Sequence, residues 1–119
     1  MGKHNEFGKL GEEKAAAFLQ NQGYTVQYRN YRYLKGEIDI IAQKEKTLAI
    51  VEVKSRSSDY IEPVAETVNQ KKINLLVATA DHFVQHNDLD VEVRFDIITV
   101  LKKGSGYEIE HLEGAFHHF

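Results

Sequence analysis

The stretch from Gly36 to Arg56, GEIDIIAQKEKTLAIVEVKSR, constrains the fold of this chain more than any other. Two apolar runs flank the charged residues Glu45 and Lys46. This pattern predicts a β-hairpin with a two-residue turn, because short polar turns join antiparallel strands of this length. The turn also sets the register, since it decides which residues of the two strands lie opposite each other.

The predicted register divides the hairpin into two unlike faces, because side chains alternate along a strand. One face is apolar throughout and carries Ile38, Ile40, Ala42, Ala49, Val51 and Val53. The other face is apolar near the turn and ionic beyond it, and carries Glu37, Asp39, Ile41, Ile50, Glu52 and Lys54. In this register Asp39 lies opposite Glu52, and Glu37 lies opposite Lys54.

The charged residues at the open end of the hairpin indicate a functional site. Like charges that face each other destabilise a sheet, so stability alone does not account for Asp39 opposite Glu52. Two facing carboxylates suit a divalent cation such as Mg²⁺, which prefers oxygen ligands. Lys54 projects to the same side, where an amine can orient water or stabilise charge that develops on a phosphate. The alternative is a solvated face with a Glu37–Lys54 surface ion pair.

The other predicted elements surround this hairpin. They are a helix from Glu6 to Gln22, a strand from Tyr24 to Arg29, a polar aromatic connection over 30–35, a helix from Glu66 to His86, a strand from Val91 to Leu101 and an edge strand from Tyr107 to Leu112. The order α-β-β-β-α-β, with an optional last strand, predicts an α/β sandwich around a mixed sheet.

Composition narrows the class of protein. The 119 residues predict one domain, and the net charge of −3 argues against a domain that coats nucleic acid non-specifically. The sequence has no cysteine, which excludes disulfides and thiolate zinc sites. The N-terminus is too polar for a signal peptide, and no apolar run approaches the roughly 20 residues that span a bilayer. A cytoplasmic protein without membrane contact is expected.

The hairpin motif resembles a known signature. Asp39 followed by VEVK at 51–54 is similar to the signature of the restriction-endonuclease-like, PD-(D/E)xK, nucleases, although Ile38 stands where that signature has proline. More closely, the chain resembles the uncharacterised bacterial YraN-like family, which is itself similar to archaeal Holliday-junction resolvases. The resemblance is carried by GKLGEEKAAAFLQNQGY, RNYR, GEIDIIA, VEVKSR, AETVNQKK, VRFDIITV and IEHLEGAF, which together cover most of the chain.

The resemblance implies a restriction-endonuclease-like fold and a site that binds Mg²⁺ or Mn²⁺. Its implied metal ligands are Asp39, Glu52, the backbone carbonyl of Val53, and Glu12 of the first helix. Lys54 is the implied catalytic lysine. Glu12 is also explained as an acid near a helix start, where the macrodipole favours it. Resolvases of this fold act as dimers, which makes a homodimer the expected assembly.

Glu37 is expected either to support the metal ligands through a contact or to pair with Lys54. Basic residues near the motif are expected to contact nucleic acid, because cations position phosphates. They are Arg29, Arg32, Lys35, Arg56 and Lys72. Tyr31 and Tyr33 lie among Arg29, Arg32 and Lys35, and aromatic side chains of this kind can stack on bases. The alternatives are aromatic residues packed on the core and, for Lys72, a solvated helix face.

These observations favour a metal-dependent nuclease that hydrolyses phosphodiester bonds in DNA, with branched or structured DNA as a candidate substrate. Asp39 and Glu52 would hold the metal, and Lys54 would assist the attacking water. Two alternatives remain open at this point. One is a non-catalytic nucleic-acid-binding module on the same fold, and the other is a subunit that works only with a partner protein. DNA is the expected partner, although the sequence does not by itself exclude RNA.

Overall fold

The computed structural model describes residues 3–57 and 69–116, with side chains from Phe7 onward. Its elements are α1 (Lys3–Asn21), β1 (Thr25–Tyr33), β2 (Gly36–Lys44), β3 (Thr47–Ser57), α2 (Gln70–His86), β4 (Glu92–Lys103) and β5 (Gly106–Leu112). The five strands form one sheet in the order β1-β2-β3-β4-β5. Among the described strands, only β3 and β4 pair in parallel, as expected for strands joined by a crossover helix. The predicted α-β-β-β-α-β order is confirmed, together with the last strand.

The two helices cover opposite faces of the sheet, and each builds its own core. The core under α1 contains Ala15, Ala16, Leu19, Tyr24, Ile40, Ala42, Ala49, Val51, Ile98 and Val100. The core under α2 contains Ile38, Ile41, Leu48, Ile50, Ile73, Leu76, Ala80, Phe83, Phe95 and Ile97. The central strands β2, β3 and β4 therefore carry mainly apolar residues on both faces, so that an acidic residue on them, such as Glu52 or Asp96, needs specific partners.

The predicted hairpin turn and register are confirmed near the turn, where Lys44 pairs with Thr47 and Ile40 with Val51. The predicted face of Ile38 is wrong. Ile38 packs under α2 with Ile41, on the face opposite Ile40. Strict alternation therefore fails between Ile38 and Ile40, at the position where β2 separates from β3.

The predicted connection over 30–35 is mostly strand. β1 continues to Tyr33, which pairs with Gly36 across a second two-residue turn. The alternating aromatic residues favour this extension, since tyrosine is a good strand former. Gly36 then passes close to α2: a Cβ atom there would lie 1.9 Å from Thr79 Oγ1 and 2.9 Å from the Leu75 carbonyl oxygen. Glycine at this position therefore lets the start of β2 and α2 approach each other.

Helix boundaries differ from the prediction by a few residues. α1 begins at Lys3 and ends at Asn21, before Gly23, whose φ of 96° suits glycine. α2 begins at Gln70, because Asn69 is extended and caps the helix by accepting a hydrogen bond from the Lys72 N–H at 2.9 Å. The predicted start at Glu66 is too early, and Glu66 itself lies outside the described residues. Neither described helix is long and apolar enough to cross a membrane.

Candidate active site

The candidate site lies where β2 and β3 separate. Their ladder ends at Ile40 and Val51, beyond which β2 stays paired with β1 and β3 with β4. The Asp39 carboxylate lies in the opening, and its Oδ2 accepts a hydrogen bond from the Val53 N–H at 2.8 Å. In an extended strand the N–H and C=O of one residue point to the same side, so the Val53 carbonyl also faces β2. The opening therefore gathers acidic and backbone oxygen atoms.

Asp39 and Glu52 are close enough to influence each other's charge. Burial, followed by repulsion from Glu52 and a hydrogen bond with the same side chain, raises the pKa of Asp39 to about 8, although the hydrogen bond from Val53 works in the opposite direction. Glu52 is only 7% exposed. The protein therefore holds two carboxyl groups together in a place where both cannot easily carry charge.

Glu52 is incompletely satisfied by the described residues. Its Oε1 lies 3.3 Å from Lys72 Nζ and 4.0 Å from Lys54 Nζ. Its Oε2 is buried and has no hydrogen-bond partner among the described residues. Buried polar atoms without partners are rare and unfavourable in folded proteins. An unsatisfied carboxylate oxygen next to a second carboxyl group fits a divalent cation, which bonds to oxygen and neutralises both charges.

Lys54 lies beside this pair with 14% of its side chain exposed. Burial lowers its pKa, Glu52 opposes that change, and Lys72 and Arg56 add to it by repulsion. A lysine whose pKa moves toward neutrality can exchange a proton during a reaction more readily than an exposed lysine. The position and the pKa of Lys54 thus suit the role that the sequence motif predicted.

A cavity of about 360 Å³ opens in front of the carboxyl pair. Its lining combines acids, lysines and the start of α2: Lys35, Gly36, Glu37, Asp39, Glu52, Asn69, Lys71, Lys72, Leu75 and Leu76. Of the predicted cationic residues, Lys35 and Lys72 reach this cavity. Lys71 and Asn69 were not among the predicted site residues, because their role depends on how α2 packs. The cavity can therefore hold a cation and an anion side by side.

Glu12 lies in the middle of α1 rather than near its start, and its Oε1 atom is 3.6 Å from Nη2 of Arg29 on β1. The Nε atom of Arg29 is buried and has no hydrogen-bond partner within the described part of the chain. Glu12 adds a smaller repulsion to Asp39, which places it in the neighbourhood of the site. No group of three acidic or histidine side chains that could hold a metal is found among residues 7–57 and 69–116. The metal-binding role of Glu12 stays a prediction.

Glu37 pairs with Arg32 of β1, both in the strand register and through an ion pair of their exposed side chains. The predicted position of Glu37 opposite Lys54 is wrong, because β2 separates from β3 before reaching it. Arg56 extends along its own strand and donates a hydrogen bond to the Ser55 carbonyl oxygen at 2.9 Å. The contacts of Arg56 and Arg32 with nucleic acid stay predictions.

Comparison with known proteins gives a clear family. The model of the uncharacterised protein family UPF0102 matches residues 11–100. A UPF0102 protein of Flavobacterium psychrophilum is 50% identical over 119 residues, which is all of both chains. UPF0102 proteins of Christiangramia forsetii and Parabacteroides distasonis are 45% and 44% identical, and the alignments cover 100% and 98% of this chain and 100% and 97% of theirs. The match confirms the resemblance to the YraN-like family: the chain belongs to the uncharacterised protein family UPF0102.

Proposed function

We propose that this protein is a divalent-metal-dependent nuclease of the restriction-endonuclease-like superfamily, which hydrolyses phosphodiester bonds in DNA. The observation that carries the proposal is the pair formed by the partly buried Asp39 and the buried Glu52. One member has its pKa raised to about 8, and the other has a buried oxygen without a partner among the described residues. Branched or structured DNA is the candidate substrate.

A divalent cation would resolve the conflict between these carboxyl groups. Asp39 and Glu52 would each supply an oxygen ligand, and the Val53 carbonyl faces the same opening. These are the ligands that Mg²⁺ and Mn²⁺ prefer, with water and substrate phosphate completing the shell. Glu12 is a further candidate ligand, provided that it leaves Arg29. A pure phosphate-binding protein has no evident use for these two acids at this point.

Each part of the proposed reaction is assigned to the metal or to a particular side chain near the cavity. Mg²⁺ or Mn²⁺, when bound, would supply positive charge that polarises a phosphate oxygen and makes water more acidic. Lys54 would orient the attacking water or stabilise the negative charge that grows on the phosphate. Lys35, Lys71 and Lys72 line the cavity and would hold the phosphates on either side. Glu37 would then position Arg32 at the edge of the cavity.

The alternative is a nucleic-acid-binding module without catalysis. It is favoured by one observation: Lys72 already acts as a counterion for Glu52, at 3.3 Å. In such a module the lysines around the cavity would bind phosphate, and the acids would serve only to position them. Binding would weaken with added salt and would survive the substitution Glu52→Gln.

The first test is a calorimetric titration of Mn²⁺ into the wild type, Asp39→Ala and the control Asp90→Ala, all checked for folding. Asp90 is a suitable control because its carboxylate is fully exposed on the far side of the hairpin turn, beside Lys46. Binding in the wild type and the control, and its loss in Asp39→Ala, would support the carboxylate site. Equal binding in all three variants would exclude it.

Cleavage is tested next, with linear and branched DNA and with RNA in Mg²⁺ or Mn²⁺. The nuclease proposal expects cleavage by the wild type and at least a hundredfold loss in Asp39→Ala and in Lys54→Ala. Cleavage that persists in these variants would come from a contaminant or another site. Salt-sensitive binding without any cleavage would establish the binding module instead.

A further inference from the structure

Three aromatic rings lie parallel beside the second half of α2. The Tyr33 and His82 rings stack with centroids 3.7 Å apart at 12°. His86 continues the stack, with 5.5 Å between its centroid and that of His82 at 13°. The Tyr31 hydroxyl lies 2.7 Å from His82 Nδ1, and this hydrogen bond fixes the plane of the central ring. The stack is thus held in a defined orientation before any partner binds.

The stack continues the stripe of α2 that begins at the candidate active site. Lys72, Leu75, Thr79, His82 and His86 recur every three or four residues, which places them on one side of the helix. The first two line the cavity, and the third lies against the start of β2. At about 1.5 Å per residue, the two histidines lie roughly 15 and 21 Å along the axis from Lys72. At the rise of about 3.4 Å per phosphate along one strand of a duplex, this distance spans about four to six nucleotides, and an extended single strand spans it with fewer.

The outer ring of the stack is available to a ligand. His86 is exposed, and His82 and Tyr33 are partly buried. His82 and His86 have the spacing of two zinc ligands on a helix, but the described residues offer no third ligand. In addition, Nδ1 of His82 already faces the Tyr31 hydroxyl. A planar ring with one open face suits a second planar ring. Bases inside a duplex have both faces covered by their neighbours, so only an unpaired base can stack here.

We propose that the Tyr33–His82–His86 stack is a subsite for an unpaired nucleobase, so that the substrate carries a single-stranded stretch beside the phosphate held at Asp39 and Glu52. The inference rests on the proposed function for the placement of that phosphate. It adds the substrate class: nucleic acid with unpaired nucleotides rather than continuous duplex.

The test measures binding without metal, in EDTA, so that neither metal binding nor cleavage enters the result. The probes are fluorescein-labelled 12-nucleotide single strands of DNA and RNA and the matching DNA duplex, followed by fluorescence anisotropy. The variants are His86→Ala, His86→Trp and the control Gln85→Ala, which alters an exposed residue of the same turn but off the stripe. Because the chain contains no tryptophan, His86→Trp also introduces a single reporter for stacking.

Loss of stacking of one base corresponds to about a fivefold or greater loss of affinity. We therefore expect His86→Ala to weaken single-strand binding at least fivefold, while duplex affinity changes less than twofold and Gln85→Ala behaves as the wild type. His86→Trp should retain single-strand binding, and its fluorescence should fall when the strand is added. The DNA and RNA arms show which backbone is preferred.

Unchanged single-strand affinity in His86→Ala would overturn the subsite, even if Mn²⁺ binds and DNA is cleaved. An equal loss for strand and duplex would also overturn it, because it would show a charge or folding effect. Failure of the wild type to bind any strand would overturn it as well. The nuclease proposal would then be judged separately, by the Mn²⁺ titration of Asp39→Ala.

Discussion

Two aspartates on the central strands of the sheet, the buried Asp96 and the partly buried Asp39, have opposite surroundings. Asp96 of β4 is fully buried and fully supplied with donors. Arg94 Nε and Nη2 donate to its two oxygens at 2.9 and 2.8 Å, His111 Nε2 lies 2.8 Å from Oδ2, and the Gly114 N–H donates at 3.0 Å. Asp39 receives one backbone hydrogen bond, from Val53, and lies beside Glu52.

The pKa values of the two aspartates move in opposite directions. Burial alone would raise the pKa of Asp96, but the hydrogen bonds from His111, Arg94 and Gly114 outweigh burial and hold that pKa below its usual range. At Asp39 burial and the neighbouring Glu52 act together, and the pKa rises to about 8. The chain can therefore neutralise a buried carboxylate with its own groups, and it does not do so at the hairpin. This contrast favours an external cation at Asp39 and Glu52.

Asp96 has a structural purpose. Its hydrogen bond from Gly114 and the bond between the Ala115 N–H and the Phe95 carbonyl, at 2.8 Å, tie the segment after β5 to β4. Arg94 also donates to the Tyr24 hydroxyl at 2.6 Å and so links β4 to the end of α1. A sequence pattern does not specify these partners, because they come from separate segments of the chain.

The largest expected effect is on stability at Asp96. Asp96→Asn removes the charge that balances Arg94 and leaves at least one donor without an acceptor. Breaking a buried ion pair from one side costs about 3 kcal/mol, so the free energy of unfolding in urea should fall by about that amount. Asp39→Asn, measured in EDTA, should leave stability near pH 7 unchanged or slightly higher. Equal losses in the two variants would remove the contrast between the sites.

The second effect is the pH dependence of stability. The pKa of Asp39 is about 8 in the folded protein and about 4 in the unfolded chain, so the folded protein binds the extra proton between these values. The free energy of unfolding should therefore fall as pH rises, by about 2 kcal/mol from pH 6 to pH 8 in EDTA, and this fall should be absent in Asp39→Asn. Asp96 acts in the opposite sense, because its contribution is present above the unfolded pKa and is lost as pH falls.

Urea titrations at several pH values measure these slopes. A wild type whose stability does not change between pH 5 and pH 8 would show that Asp39 is ionised in the free protein. In Mn²⁺ the slope should flatten or reverse, because the metal binds the ionised carboxylate and displaces its proton. Asp90→Ala serves again as the control and should follow the wild type.

The sequence predicts the Asp39 side of this contrast, but it does not predict the partners of Asp96. The two-residue turn sets the register of the ladder up to Ile40 and Val51 and so brings Asp39 near Glu52, although these two residues do not pair directly as predicted. The apolar runs mark the central strands. The separation of β2 from β3 was not predictable, since it depends on how each strand pairs with its outer neighbour. It moved Ile38 to the other face and Glu37 away from Lys54.

The cavity and the ring stack depend on helix packing, which a sequence pattern does not specify. Lys71 and Asn69 reach the cavity because α2 begins at the Asn69 cap and lies close to Gly36. His82 and His86 are four residues apart and so lie on one side of α2, but their aromatic partner Tyr33 belongs to a distant strand. The available sequence signal for the close approach of α2 and β2 was Gly36, at the start of the hairpin.

A smaller effect is expected at Lys72, which is the protein's own counterion for Glu52. Lys72→Met removes a positive charge that lies 3.3 Å from Glu52 Oε1 and competes with a metal. Mn²⁺ should bind about fivefold more tightly, equivalent to roughly 1 kcal/mol, at pH 8 by calorimetry. Lys71→Met is the matched control, because Lys71 lines the same cavity without an ion pair to Glu52 among the described residues. Weaker binding in Lys72→Met would mean that Lys72 holds Glu52 in place for the metal.

The smallest effect is expected at Glu37, which lies at the exposed edge of the cavity. Glu37 pairs with Arg32, and 40% and 78% of their side chains are exposed, so solvent screens the interaction. Glu37→Gln should change the free energy of unfolding by less than about 0.5 kcal/mol and the Mn²⁺ affinity by less than about twofold. The same urea and calorimetric titrations measure both. A loss of metal affinity of about tenfold or more would instead show that Glu37 supports the ligands through a hydrogen bond, as residues behind metal ligands do. In that case Glu37 would belong with Asp39 and Glu52 to the proposed metal site, rather than to the exposed ion pairs around it.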